Sequence, residues 1–241
     1  MLKEIIDNFY LENERGSYPQ KRFYVTDAGK CPRSVFFKFK QAPCRDLEPR
    51  ILRLFDHGNY IHELIIKALS GQKVLRGDEV NIPANNLISG RADALIQVDG
   101  QDYIVDIKSI NSISFRTLKE PSVEYIYQLQ LYLHFFQIKQ GVLLYVNKDT
   151  QDLKEFFLEY DEALCRQLLD QLQELGGQIE VNQVPARLEE WPSNGQCRYC
   201  QYKEVCSMVG PDQVSWDEFK ERVIKHEESI KNGDSKKRLL S

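Results

Sequence analysis

Asp93, Asp106 and Lys108 in the middle of the chain, with His62 upstream, are the residues whose types and spacing could do hydrolytic chemistry. Between the two acids stands Asp99-Gly100, a preferred pair for a two-residue type I′ hairpin turn. β-like runs cover 87–98 and 102–108, with a third at 78–83. With strands pairing outward from the turn, Val98 faces Gln101, Leu95 faces Ile104, and Asp93 falls opposite Asp106. Their Cβ atoms are then expected about 4.5–5.5 Å apart on one face. Lys108 is two residues further on and points to that same face.

Like charges set opposite each other weaken a hairpin. A divalent cation that takes hard oxygen ligands, Mg²⁺ or Mn²⁺, is the economical compensation. Lys108 would then orient or deprotonate a water and offset charge developing at phosphorus. The alternative for two carboxylates alone is a solvent-facing, salt-bridged hairpin, and a one-residue slip of register would separate them.

Three more residues bear on the choice. His62 lies on an apolar stripe (51, 54, 55, 61, 65, 66, 69) that predicts a helix from Ile51 to Leu69. A lone histidine there serves a core as readily as a metal, but a helix just before the hairpin can offer its imidazole to the same ion. Gln128 and Tyr132 share a face, at i and i+4, of a helix expected over 122–138. A buried glutamine needs partners, such as Lys108 or a DNA phosphate; ordinary helix packing is the alternative.

The chain has six cysteines. Three form Cys197-x-x-Cys200-x5-Cys206, and Cys31 stands far upstream. A Cys-x-x-Cys pair by itself suggests zinc or redox chemistry. Cys165 falls in an amphipathic helix over 161–179 and reads as core, whereas Cys44 sits beside Arg45 in a polar loop as a spare thiol. His134 reads as helix packing, and His57 and His226 as solvent-facing.

Taken in order, Gly58-x-x-x-His62, Gly90-Arg91-Ala92-Asp93, Asp106-Ile107-Lys108 and Gln128-x-x-x-Tyr132 resemble the successive motifs of RecB-like PD-(D/E)XK nucleases, over about 30–206. Ala92 replaces the proline of the motif, and the second acid is Asp. The resemblance implies that His62, Asp93, Asp106 and the Ile107 carbonyl bind metal, and that Lys108 is catalytic. Gln128 and Tyr132 would support the site or the DNA. One early and three late cysteines are similar to the iron–sulfur nucleases, the Cas4 family and the AddB-type recombination nucleases. That implies a [4Fe–4S] cluster on Cys31, Cys197, Cys200 and Cys206 that staples the N-terminal helix to the C-terminal segment. Zinc on the same thiolates is the rival. The length favours the Cas4 side. The implied activity is Mg²⁺- or Mn²⁺-dependent hydrolysis of DNA, at single-stranded or frayed ends. Two other readings are a DNA-binding adaptor for a CRISPR integrase of Cas1 and Cas2, and a recombination or phage nuclease with no such partner.

The elements that must position these residues follow from pattern. Helices are expected at 3–12 and 27–40, the latter capped by Thr26 or Asp27. Residues 141–146 read as a buried strand, 153–159 as its edge partner, and 215–231 as a charged helix fading into a mobile tail at Lys236-Lys237-Arg238. The fold class expected is α/β: a mixed central sheet flanked by helices, the restriction-endonuclease-like PD-(D/E)XK fold, with a helical lobe stapled by the cluster. Four regions are expected: 1–75 helical, contributing Cys31 and His62; 76–182 the nuclease core; 183–212 the cysteine-rich segment; and 213–241 a helix and tail.

Across its 241 residues the formal charge is −4, which does not favour a nucleic-acid partner, although a local basic cleft can outweigh it. Arg33, Arg91, Arg116 and Lys119 are candidates for lining a DNA channel. No apolar run reaches the roughly 18 residues of a membrane span, and acids at Glu4 and Asp7 stand too early for a secretory leader. A cytoplasmic protein is therefore expected.

Overall fold

The computed structural model describes residues 1–13, 19–225 and 228. In chain order it begins with α1 (Leu2–Glu12), β1 (Phe23–Tyr24), α2 (Pro32–Phe39) and α3 (Pro49–Gly71). The middle holds β2 (Leu75–Asn81), β3 (Ile88–Ser89), β4 (Arg91–Val98), β5 (Gln101–Ile110), α4 (Ser112–Thr117), α5 (Val123–Phe136), β6 (Gln140–Asn147) and β7 (Leu153–Glu159). Last come α6 (Glu162–Glu180), β8 (Gln183–Val184), α7 (Gly195–Arg198), α8 (Lys203–Met208) and β9 (Val214–Ser215). Residues 216–225 are helical; the rest of the helix expected over 215–231, and the Lys236–Arg238 tail, lie outside the described residues.

Two compact units result. Among the described residues, one gathers 1–13, 22–29 and 47–170, and the other 19–21, 30–46 and 171–225 with 228.

The first unit is built on a five-stranded mixed sheet in the order β2-β4-β5-β6-β7. β4 and β5 pair antiparallel through Val98↔Gln101 and Leu95↔Ile104 to Ala94↔Val105, the register expected from the turn. Asp99 (φ 49°) and Gly100 (φ 79°) both adopt the left-handed backbone that this turn requires. β5 and β6 run parallel, so α4 and α5 make the crossover between them. One sheet face buries Ala94, Ile96, Val105, Ile107, Val142 and Val146 against Ile61 and Ile65 of α3. α5 covers the opposite face, where the side-chain-free α-carbon of Gly141 admits Leu129.

Three expectations need correction. The strand expected over 87–98 is broken at Gly90: β3 leaves to pair in parallel with β1, and β4 starts at Arg91. A Cβ on Gly90 would collide with the side chain of Val25, so only glycine permits the close approach that splits the run. The strand expected at 78–83 is shifted to Leu75–Asn81, because Pro83 has no N–H to extend the ladder. The helix expected over 27–40 starts only at Pro32. Gly29 is left-handed at φ 75°, and the residue before a proline is driven out of the helical region, as Cys31 is (φ −50°, ψ 117°).

The second unit has its own core, in which Phe36, Phe37, Val184, Val205, Val209, Trp216 and Val223 are buried together. Phe37 packs against both Tyr202 and Trp216. Among the described residues, no helix is long and apolar enough to cross a membrane.

Candidate active site

Adjacent central strands bring the acids together. Asp106 is 1% exposed at the centre of β5. Asp93 lies one step beyond the Ala94↔Val105 pair of the β4–β5 register, opposite Asp106. Its Oδ2 accepts a hydrogen bond from the Ile107 N–H at 2.7 Å, which fixes the carboxylate across the strand gap. Burial pushes the Asp93 carboxyl up. Asp106 is pushed up to about 6, first by burial and against the pull of Lys108, with the Asp93 charge adding to the rise.

Lys108 Nζ stands 2.7 Å from Asp106 Oδ2. It also donates to Gln128 Oε1 at 3.1 Å and lies 4.5 Å from the centre of the Tyr125 ring. The Gln128 amide in turn donates to Asp106 Oδ1 at 3.0 Å and lies 3.3 Å from Tyr132 Oη. Tyr132 donates its hydroxyl to the Arg91 carbonyl at 2.8 Å, and burial holds its ionisation well above the usual tyrosine range. One glutamine thus joins acid, lysine and tyrosine. His62 comes from α3, with Nδ1 3.6 Å from Asp93 Oδ1. Its burial, then the charge of Lys108, push its pKa down, leaving the neutral imidazole that can act as a ligand.

The structure therefore brings His62, Asp93, Asp106, Ile107, Lys108, Gln128 and Tyr132 into one cluster. Tyr125 was missed from sequence, although its i,i+3 spacing from Gln128 places it on the same helix face. Arg33 is corrected: it lines no channel. It is 1% exposed and donates to the carbonyls of Pro185, Gly210, Pro211 and Asp212 at 2.7–3.2 Å. Arg91 pairs with Glu79 at 2.9 Å on the surface, and Arg116 and Lys119 are exposed.

The donors suit a hard divalent cation: two carboxylates, a backbone carbonyl and an imidazole. Asp106 Oδ2, despite its proximity to Lys108, accepts no well-aligned hydrogen bond. Among the described residues, however, no three His, Cys, Asp or Glu side chains are gathered closely enough to chelate an ion. Lys108 engages Asp106 at 2.7 Å, where a cation would otherwise sit.

The four cysteines of interest lie in the second unit. Burial raises the thiol pKa of Cys31, Cys197 and Cys200; Cys200 and Cys206 add to it at Cys31, Cys206 at Cys197, and Cys206 and Cys197 at Cys200. The Cys31 N–H donates to Gln196 Oε1 at 2.7 Å, and Arg33 Nη1 lies 3.7 Å from Cys206 Sγ. Cys31, Cys197 and Cys200, from two chain segments, thus each feel a neighbouring thiol. Cys165 is fully buried and donates to the Gln130 carbonyl at 3.2 Å, as a core thiol does. Cys44 is exposed. His134 Nδ1 is hydrogen-bonded to Tyr160 Oη at 2.8 Å.

Two acids and a lysine on adjacent strands of a mixed sheet, with a glutamine from the crossover helix behind them, define a nuclease. The chain belongs to the PD-(D/E)XK nuclease superfamily, whose family model matches residues 71–207. It is 26% identical over 201 residues to a CRISPR-associated exonuclease Cas4 of Saccharolobus solfataricus, across 78% of this chain and 88% of that protein. The solved structure of SSO0001 superposes with a TM-score of 0.56 at 24% identity, over 86% of this chain and 96% of that one.

Proposed function

We propose that this nuclease is a Cas4-like, divalent-metal-dependent deoxyribonuclease that trims single-stranded or frayed DNA ends. The observation that carries the reading is the linked cluster of Asp93, Asp106, Lys108 and Gln128 on adjacent strands and the helix behind them. Asp93, Asp106, the Ile107 carbonyl and His62 would hold Mg²⁺ or Mn²⁺. Such an ion, when bound, lowers the pKa of water and neutralises charge on the phosphate. Lys108 supplies a cation and proton donors where negative charge grows on the phosphoryl oxygens. Gln128 holds the lysine ammonium and the Asp106 carboxylate in fixed relation, and Tyr132 ties that helix face to the backbone of β4.

Cys31, Cys197, Cys200 and Cys206 would hold a [4Fe–4S] cluster with a structural role; the influence of neighbouring thiols on Cys31, Cys197 and Cys200 supports a shared site. Zinc on the same thiols is separated from it by iron and sulfide content. The name of the Saccharolobus relative favours a CRISPR setting, in which the trimmed ends would pass to a Cas1–Cas2 integrase.

The test is cleavage of end-labelled single-stranded DNA by anaerobically purified protein, with Mn²⁺ or chelator, for wild type and Lys108→Ala. Cutting that needs metal and is lost in the variant establishes the activity. No cutting by protein with its full iron content overturns the reading and favours a DNA-binding adaptor.

A further inference from the structure

Beside the acids, in the first unit, a cleft of about 440 Å³ opens between β1 and the segment from Asn81 to Arg91. That size falls among small-ligand sites, roughly 300–1,000 Å³. Its floor is apolar, with Ile82 and Ile88 at 7% and 1% exposure. Tyr24, 44% exposed, forms one side, and the guanidinium side chains of Arg22 and Arg91 belong to its lining, which contains no acid. An aromatic ring over an apolar floor with arginines at hand suits a base and its phosphates.

We propose that this cleft seats a nucleotide of single-stranded DNA flanking the bond to be cut, its base stacked on Tyr24 and its phosphates held by Arg22 and Arg91. The proposal rests on the nuclease reading above and names where its substrate lies. Arg91 and Asp93 are two residues apart on β4 and project from the same face, about 7 Å apart along the strand. The cleft and the acidic site therefore share β4, with Arg91 one side-chain repeat from Asp93.

Its wall is held rigidly to that site. The Arg91 carbonyl accepts from Tyr132, and the Gly90 carbonyl accepts from the Ile82 N–H at 3.0 Å. Gly90 itself leaves no room for a side chain between Val25 and Tyr132. Asn85 is committed to its own loop: its Oδ1 accepts from the N–H groups of Leu87 and Ile88. It shapes the cleft and does not read bases. The Arg91–Glu79 pair is over half exposed on both sides, and such surface pairs are weak, so a phosphate can replace the glutamate. Stacking is tolerant of base identity, so the cleft selects for an unpaired nucleotide and not for a sequence.

The test uses full-length Lys108→Ala protein with Mn²⁺, so that bound strands stay intact, and fluorescence anisotropy of labelled strands of about 12 nucleotides. A single abasic residue is walked along the strand. One position is expected to weaken binding about tenfold with Tyr24 present and to cost almost nothing in Tyr24→Leu, while Tyr24→Phe keeps the penalty. Arg22→Gln, an exposed change, is expected to lower the slope of log affinity against log salt by about 0.7. An abasic penalty that survives unchanged in Tyr24→Leu overturns the proposal, as does an unchanged salt slope. Free deoxynucleoside monophosphate that saturates the cleft without displacing the strand also overturns it. These readouts are of binding alone, so a wild type that binds in this way but cuts nothing removes the nuclease reading and not the subsite.

Discussion

Gln128 donates to Asp106 Oδ1 at 3.0 Å and, through its own Oε1, accepts from the lysine that pairs with the other oxygen of the same carboxylate. The acid and the base are thus held by one side chain. Gln128→Leu preserves bulk but removes both contacts. We expect kcat to fall about 10- to 100-fold, the range seen when an outer partner of a metal ligand is removed, with little change in KM for DNA. Steady-state cleavage separates the two; a pure KM effect would make Gln128 a DNA contact instead.

Asp106 gives a pH prediction. Its folded pKa lies above the unfolded value, so the folded state binds the extra proton as pH falls, and this group destabilises the metal-free fold as pH rises through about 6. A divalent ion competes with that proton. The rise in Tm on adding Mn²⁺ to chelator-treated protein should be large at pH 7.5 and small at pH 5. Equal shifts at both values would exclude Asp106 as a ligand.

Asp106→Asn should abolish cleavage and also remove the response of Tm to Mn²⁺. Without metal, its Tm should exceed that of the wild type at pH 7.5, because burial disfavours the Asp106 charge by more than Lys108 offsets. Differential scanning calorimetry run once with chelator and once with Mn²⁺ checks both.

How far the site was legible depends on range. The Asp99-Gly100 turn fixed the β4–β5 register, and period two then put Asp93, Asp106 and Lys108 on one face. Those relations are local, and local chemistry decides them. Gly90 shows the limit: its break in the strand comes from Val25, some 65 residues earlier in the chain. Arg33 shows it again. A lone arginine reads as a surface charge, and only the distant carbonyls from Pro185 to Asp212 make it an interior residue. Tyr125 falls between these cases, since helix spacing alone would have placed it beside Gln128.

Arg33→Gln should be severely destabilising. It leaves several carbonyls without donors, at about 1–3 kcal/mol for each group truly buried. A loss of at least about 3 kcal/mol is expected, together with reduced iron content in anaerobically purified protein. A variant with wild-type stability would mean that water replaces the guanidinium.

Thiol labelling offers an independent check. Cys44 is exposed and should be alkylated first; Cys165, raised to about 11 by burial, should resist. Cys31, Cys197, Cys200 and Cys206 should become reactive together when the cluster is stripped by chelator and oxidant. Mass spectrometry that finds them labelling singly and without regard to metal would argue against a shared cluster.

The second unit is interrupted in sequence: α2 and its phenylalanines come from one segment, and most of the residues that bury them come only after Asp170. On the ribosome, Phe36 and Phe37 emerge long before Val184, Val205 or Trp216 exist. At about 5–20 residues per second, that interval is on the order of ten seconds. Through that interval these aromatic rings lack most of the partners that bury them in the folded chain. A slowing of translation between α2 and β8 would lengthen the period in which the nascent chain can aggregate.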